Sequence, residues 1–177
     1  MSKEISINIF DTESIENAIS ELDAYKKEIE TKRDKLVSEL ANMGASNISA
    51  GFNESVPDGE YDVSVAVEPN VVTDGKATIK ANGKSALFIE FGTGVTYPDD
   101  HPEAEELGMK RGEYGQGHGK QHSWGYYGDP GTNGVLKEKK NGGFVVITNG
   151  NPANMPMYET VKELQDRLTE IAREVFS

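Results

Sequence analysis

Five large apolar residues, Ile15, Leu22, Ile29, Leu36 and Met43, recur at a strict seven-residue interval, and Ala18, Ile19, Tyr25 and Leu40 widen the same stripe. That period puts them on one face of a helix, so the N-terminal third is predicted to be one long amphipathic helix. Asp11 or Ser14 can cap its start, and Gly44 can supply the left-handed residue that ends it. The result is about 30 residues and roughly 45 Å at 1.5 Å per residue, longer than an ordinary core helix. One reading lays it across a sheet with an overhanging end. The other packs part of the stripe on a neighbouring subunit, although Lys32 and Arg33 interrupt it where a pure coiled coil would carry an apolar residue.

A chain of 177 residues with 36% hydrophobic content can bury one respectable core and hardly two, which predicts a single domain over 1–177. The absence of cysteine removes disulfides, thiolate zinc sites and cysteine nucleophiles, and suits assembly in a reducing cytosol. No apolar run approaches the roughly 20 residues of a membrane helix, and the polar start lacks a signal peptide's apolar stretch, so no membrane partner is expected. A net charge of -12 repels phosphate, and the Lys and Arg residues are scattered among acids. Sequence-specific nucleic-acid binding is therefore not expected either.

A β-rich section follows the helix. Tyr61, Val63, Val65 and Val67 alternate with Asp62, Ser64, Ala66 and Glu68, the period of a strand with one buried face. Residues 77–81 offer a second strand, bounded by Asp74-Gly75 and Asn82-Gly83, which tolerate the positive φ angles of tight hairpin turns. Residues 47–52 add a short edge strand and residues 144–148 a central one, giving an antiparallel meander of about four strands.

The apolar run 86–89 fits either a buried strand or a short helix. Glu90 follows it, between Ile89 and Phe91, where a carboxylate must reach solvent or find donors. The amides of Gly92-Thr93-Gly94 are the nearest candidates. A carboxylate that pins its own loop outranks a catalytic acid here, because no partner base lies nearby in sequence.

Residues 92–142 hold all three histidines, the one tryptophan and most of the glycines. A loop this long inside a compact domain is uncommon and usually either functional or disordered. Trp124, Tyr126 and Tyr127 are too hydrophobic for a solvating linker, so this stretch is expected to be an extended interaction loop that orders on contact, with His118 and His122 beside its aromatic anchors. A metal-dependent hydrolase can be drawn from His118 and His122, four apart, with Asp99, Asp100 and His101 upstream. Against it, the surrounding glycines oppose the helix that would aim both rings one way, and no His-Glu-x-x-His is present. Neither a phosphate-binding glycine motif nor a G-x-S-x-G setting occurs. No catalytic residue, metal or cofactor is assigned.

At the C-terminal end, Pro156 suits a first helical turn and Glu159 adds charge near the positive end of the dipole. Met157, Val161, Leu164, Leu168, Ile171 and Val175 then form one apolar face, predicted to pack on the sheet, with Met157 as core filler. The fold class is thus α+β: long N- and C-terminal helices on an antiparallel sheet of about four strands, with a long Gly/His/aromatic loop.

In that order of elements, the segment Phe88-Ile89-Glu90-Phe91-Gly92-Thr93-Gly94 and the later Asn151-Pro152-Ala153-Asn154-Met155-Pro156-Met157-Tyr158 resemble the tail-completion, or head–tail joining, proteins of long-tailed bacteriophages. The matching positions are Glu90, Phe91, Gly92, Thr93, Pro156 and Met157; the family's proline–aromatic pair is here Pro156-Met157, with Tyr158 following. Trp124-Gly125-Tyr126-Tyr127 looks like the insertion seen in phages of Gram-positive bacteria. The resemblance favours a short helix before Gly92. It implies a structural virion protein: a homo-oligomeric ring subunit at the neck, assembled in the host cytoplasm, without enzymatic activity, contacting the head–tail connector and the tail terminator or tail tube. Tail terminator and head-side neck adaptor are the neighbouring alternatives, since all are small ring-forming proteins.

Overall fold

A computed structural model describes residues 4–55, 63–95, 100–115, 120–128, 130 and 133–177. Among the described residues, three helices and five strands follow one another as α1 (Thr12–Glu54), β1 (Ser64–Thr73), β2 (Lys76–Asn82), α2 (Ala86–Phe91), β3 (Trp124–Tyr126), β4 (Gly134–Glu138), β5 (Phe144–Thr148) and α3 (Pro156–Phe176). The content is α+β, as the sequence predicts.

Helix α1 starts where expected, with an Asp11 side-chain oxygen accepting the Glu13 N–H at 3.1 Å. It does not stop at Gly44. It runs 43 residues, about 65 Å, and takes in residues 47–52, expected from the sequence as a short edge strand. The buried positions explain why: Ala41, Gly44, Ile48 and Phe52 are spaced by three, four and four, a helical face rather than a strand face. Gly44 is a close-approach residue. A Cβ there would lie 2.7 Å from Ile79 Cδ1 and 3.0 Å from Leu164 Cδ1, so two neighbouring elements press on the helix backbone at this point.

Strands β1 and β2 form an antiparallel hairpin whose register sets Val65 opposite Ala81 and Val67 opposite Ile79. Of the expected first strand, Tyr61 and Asp62 lie outside the described residues. The two-residue turn is Asp74-Gly75, with φ of 55° and 66°, the double left-handed geometry of a type I′ hairpin. Its tip is tied to α1, since Gly75 donates its N–H to the Asp34 carboxylate at 2.8 Å. The hairpin therefore lies lengthwise on the second half of α1. Ile48, Phe52, Val63, Ala86 and Ile89 make the core beneath it, with Val65, Ile79, Ala81 and Met157 against them. Burying Phe52 completely stabilises the fold by about 1.5–3 kcal/mol.

The expected single sheet is two. Strands β3, β5 and β4 form a separate antiparallel sheet in that order, with Val146 and Thr148 of the central strand buried. Among the described residues the hairpin and these three strands share no ladder, so the expected four-stranded meander is not found there.

Helix α3 also differs from expectation, because its main partner is α1 rather than a sheet. The two run antiparallel: Gly51 meets the Pro156 ring, Asn47 donates to Glu163 at 2.9 Å, and Met43 lies beside Arg167. Ile171 and Val175 are buried, but Val161 and Leu168, predicted on the same apolar face, point to solvent. Helices in contact along a line cover a narrower stripe than a sheet would. Among the described residues no helix is long and apolar enough to cross a membrane.

Candidate functional site

The two motifs flagged in the sequence meet in space. Helix α2 carries Glu90 between Ile89 and Phe91, all three buried, and Glu90 is only 5% exposed. One oxygen, Oε2, accepts the N–H of Met157 at 2.8 Å; the other, Oε1, accepts the N–H of Tyr158 at 3.0 Å and faces His101 Nε2 at 3.3 Å. Pro156 has no N–H, so these are the first two donors that α3 offers, and Met155 at the N-cap makes no side-chain bond to them. Glu90 thus caps α3 from a distant part of the chain. A buried carboxylate without donors would cost several kcal/mol; three donors and the positive end of the helix offset that cost.

These donors are not the Gly92-Thr93-Gly94 amides expected from the sequence. Gly92 leaves α2 at a φ of 83° and spends its N–H on the Phe88 carbonyl, while Thr93 turns to the other side. There the Thr93 N–H reaches the Asn151 carbonyl at 2.9 Å, and the Asn151 N–H returns to Thr93 Oγ1 at 2.8 Å. The Asn154 N–H completes the seam on the Ile89 carbonyl at 2.8 Å. Gly94 and Gly150 face each other across it with φ of 98° and 108°, and a Cβ on Gly150 would sit 2.1 Å from the Thr93 carbonyl oxygen. Only glycine fits both the angle and the space.

His101 fixes the start of the insertion to this corner. Its ring stacks 4.5 Å from Phe91 and meets Tyr158 edge-on at 5.3 Å, and Nδ1 accepts the Glu103 N–H at 3.1 Å. With Nδ1 an acceptor, the network assigns the ring proton to Nε2, which donates it to Glu90. Tyr114 closes the other side by donating its hydroxyl to the Gly92 carbonyl at 2.5 Å, its ring near Phe88 and Phe91. Burial pushes the Tyr114 phenol up to about 12. Arg111 donates to the Val95 carbonyl at 2.7 Å, and the exposed Lys110–Glu105 pair at 2.7 Å, by hydrogen bond and charge, lowers the Glu105 carboxyl below its usual range. Residues 100–115 are therefore wrapped onto the corner. His101, Arg111 and Tyr114 had no role as anchors in the sequence reading, and nothing local marks them, since their partners lie 11 to 22 residues away.

The other predicted site residues separate. Trp124 and Tyr126 are half-buried in β3, paired with Thr148 and Val146 of β5. Tyr127 is 75% exposed, with the Lys139 ammonium over its ring and bonded to its hydroxyl. Residues 92–142 thus supply two strands, β3 and β4, besides loop. His118 lies outside the described residues; His122 is exposed, and His101 is engaged by Glu90 and Glu103. Among the described residues no three His, Asp or Glu side chains gather as a metal would require.

Beside the corner, the end of α1 and the start of α3 enclose an open groove of about 920 Å³, where Glu54, Glu159, Glu163 and Asp166 outnumber Lys162. What the corner itself does chemically is fasten: the Glu90 oxygens are occupied by N–H donors and closed to solvent. Comparison with protein families, curated proteins and solved structures gives no match for this chain.

Proposed function

We propose that this chain is a structural virion protein of a long-tailed phage, a tail-completion or head–tail joining subunit that assembles as a homo-oligomeric ring at the neck. One observation carries the reading. Glu90 of the Glu-Phe-Gly-Thr element holds the N–H groups of Met157 and Tyr158, so the two short motifs on which the family resemblance rests form one fastened corner. Their meeting supports reading the two motifs as one structural element.

The role needs a rigid corner, surfaces for neighbours and no catalytic centre. Glycines at Gly94 and Gly150 and the buried Glu90–His101 contact supply the first. The exposed first half of α1 and the strands around Tyr127 supply the second. Its partners in the virion are further copies of itself, the head–tail connector, and the tail terminator or tail tube; it is assembled in the host cytoplasm and needs no cofactor. A net charge of -12 lets DNA pass a ring lumen without sticking, provided the acids face inward. A ring with a strongly basic lumen would remove that part of the reading.

Electron microscopy of particles from a phage lacking this gene tests the role. Full heads separate from assembled tails are expected. Abnormal tail ends would shift the reading towards a terminator, empty or leaking heads towards a head-side adaptor, and normal infectious virions would overturn it.

A further inference from the structure

The first half of α1 has an apolar stripe whose large side chains the described residues leave exposed, although Ala18 within it is buried. Ile15, Ile19, Leu22 and Ile29 are 38%, 55%, 52% and 41% exposed, whereas Leu36, Leu40 and Met43 of the same stripe are half-buried. The reason is length. Helix α3 lies antiparallel on α1 from Gly51 towards its middle, and its 21 residues, about 32 Å, span only half of the 65 Å of α1.

Charge along this half says what covers it. Residues 12–25 carry Glu13, Glu16, Glu21 and Asp23 and no base, while residues 26–35 carry Lys26, Lys27, Lys32, Arg33 and Lys35 against three acids, with Lys26, Lys32, Arg33 and Lys35 each in a weak surface ion pair within α1 that leaves the net sign of the segment unchanged. The segment is thus acidic first and basic second, with the change of sign between Leu22 and Lys26, in the middle of the exposed stripe. A surface of this kind is complementary to itself reversed. Helix α3 is a poorer fit, since its outward Val161 and Leu168 are flanked by five acids and three bases with no basic run to face residues 12–25.

We propose that two copies of this chain pair through α1 with the half-helices antiparallel, Leu22 of each copy near Tyr25 of the other, so that residues 12–25 of one face residues 26–35 of its mate. Parallel pairing would set acids on acids. The contact is two-fold and self-complementary, unlike the head-to-tail contact that closes a ring, and it stands whether or not the chain belongs at a phage neck. It covers the stripe in the unassembled protein. A single helix pair of fewer than four heptads buries less than the roughly 1,600 Å² of a standard interface, so the pair dissociates on dilution.

Sedimentation equilibrium of the full chain over a wide concentration range tests this. A monomer–dimer equilibrium is expected, with the dissociation constant raised more than tenfold by Leu22→Glu and also raised by the double change Lys26→Glu, Lys27→Glu. Leu22 is exposed, so the helical circular dichroism and the unfolding midpoint of the Leu22→Glu protein should match the parent. Orientation is read separately: the chain has no cysteine, so Thr12→Cys gives a single spin-label site. Antiparallel pairing about the midpoint of residues 12–35 puts two such labels about 35 Å apart, from 23 residues at 1.5 Å each. A strictly monomeric chain, an oligomer indifferent to Leu22→Glu, or labels close enough for parallel pairing would each overturn the proposal. None of these outcomes bears on the neck reading, which is judged on phage particles.

Discussion

Glu90 accepts the backbone N–H of Met157 at 2.8 Å across 67 residues of chain. Helices normally satisfy their first donors with a side chain just upstream, but Met155 has no acceptor to offer and Pro156 no donor to give. The cap has been moved to another helix, and with it the position of α3 relative to α2 is fixed by two bonds to one carboxylate. Whatever docks against this corner meets a surface whose two halves cannot shift independently.

Replacing that carboxylate should therefore unfasten α3. Glu90→Gln keeps the shape but turns an amide N–H towards a donor and removes the charge from the helix start. We expect a loss of about 1–3 kcal/mol by urea unfolding, and about 3–5 kcal/mol for Glu90→Ala, which leaves His101 Nε2 and both amides buried without an acceptor. Amide exchange gives the local readout: Met157 and Tyr158 should lose protection before the centre of α3 does. A change below 0.5 kcal/mol in both variants would mean that water replaces the cap.

The glycine pair across the seam separates strain from collision. Gly150→Ala must place a Cβ 2.1 Å from a backbone oxygen at a positive φ, so the two segments have to part. Gly143 has a similar φ of 85° but open space around it. We expect Gly143→Ala to cost about 1 kcal/mol, the conformational penalty alone, and Gly150→Ala clearly more, on the order of 3 kcal/mol. Equal unfolding midpoints for the two variants would show that the seam is looser than this geometry.

Gly51 asks the same question of the helix pair. Alanine is worth about 1 kcal/mol more than glycine inside a helix, so Gly51→Ala would stabilise an isolated α1. In the fold its Cβ would stand 2.7 Å from Cβ of the Pro156 ring, which has no rotamer to move. Net destabilisation of about 1–3 kcal/mol is expected from this overpacking. A gain in stability would place Pro156 further from α1.

Features whose cause is local are legible in the sequence. The Asp11 cap, the Asp74-Gly75 turn, the alternating hairpin and the proline start of α3 each depend on a few adjacent residues, and each stands where the sequence puts it. Gly44 failed because a glycine that ends a helix and one that admits a neighbour look alike in sequence; only Ile79 and Leu164, from other elements, tell them apart. Residues 47–52 failed for a related reason, since Ile48 and Phe52 fit both an alternating strand and an i, i+4 helical face. At the site, Glu90 was recognisable as a carboxylate in need of donors, but the donors lie 67 and 68 residues away, and no local pattern encodes that distance.

Tyr114 offers a pH-dependent test of the insertion's attachment. Its phenol rises from an ordinary 10 to about 12 because burial disfavours the phenolate. Between those values the unfolded chain has lost a proton that the folded chain keeps, so stability falls as pH rises from 10 to 12 and is fully present below 10. Ultraviolet titration should show Tyr114 ionising late, near 12, and Tyr114→Phe should remove that late step and flatten the alkaline loss of stability. At neutral pH the same substitution deletes the hydroxyl bond to the Gly92 carbonyl but keeps the ring near Phe88 and Phe91, so a loss of about 1 kcal/mol is expected. Faster proteolysis should appear at residues 100–115 before it appears in α1 or α3, because the insertion is then held chiefly by His101 and Arg111. If the late titration survives in the Phe variant, another tyrosine is the buried one and the insertion is moored elsewhere.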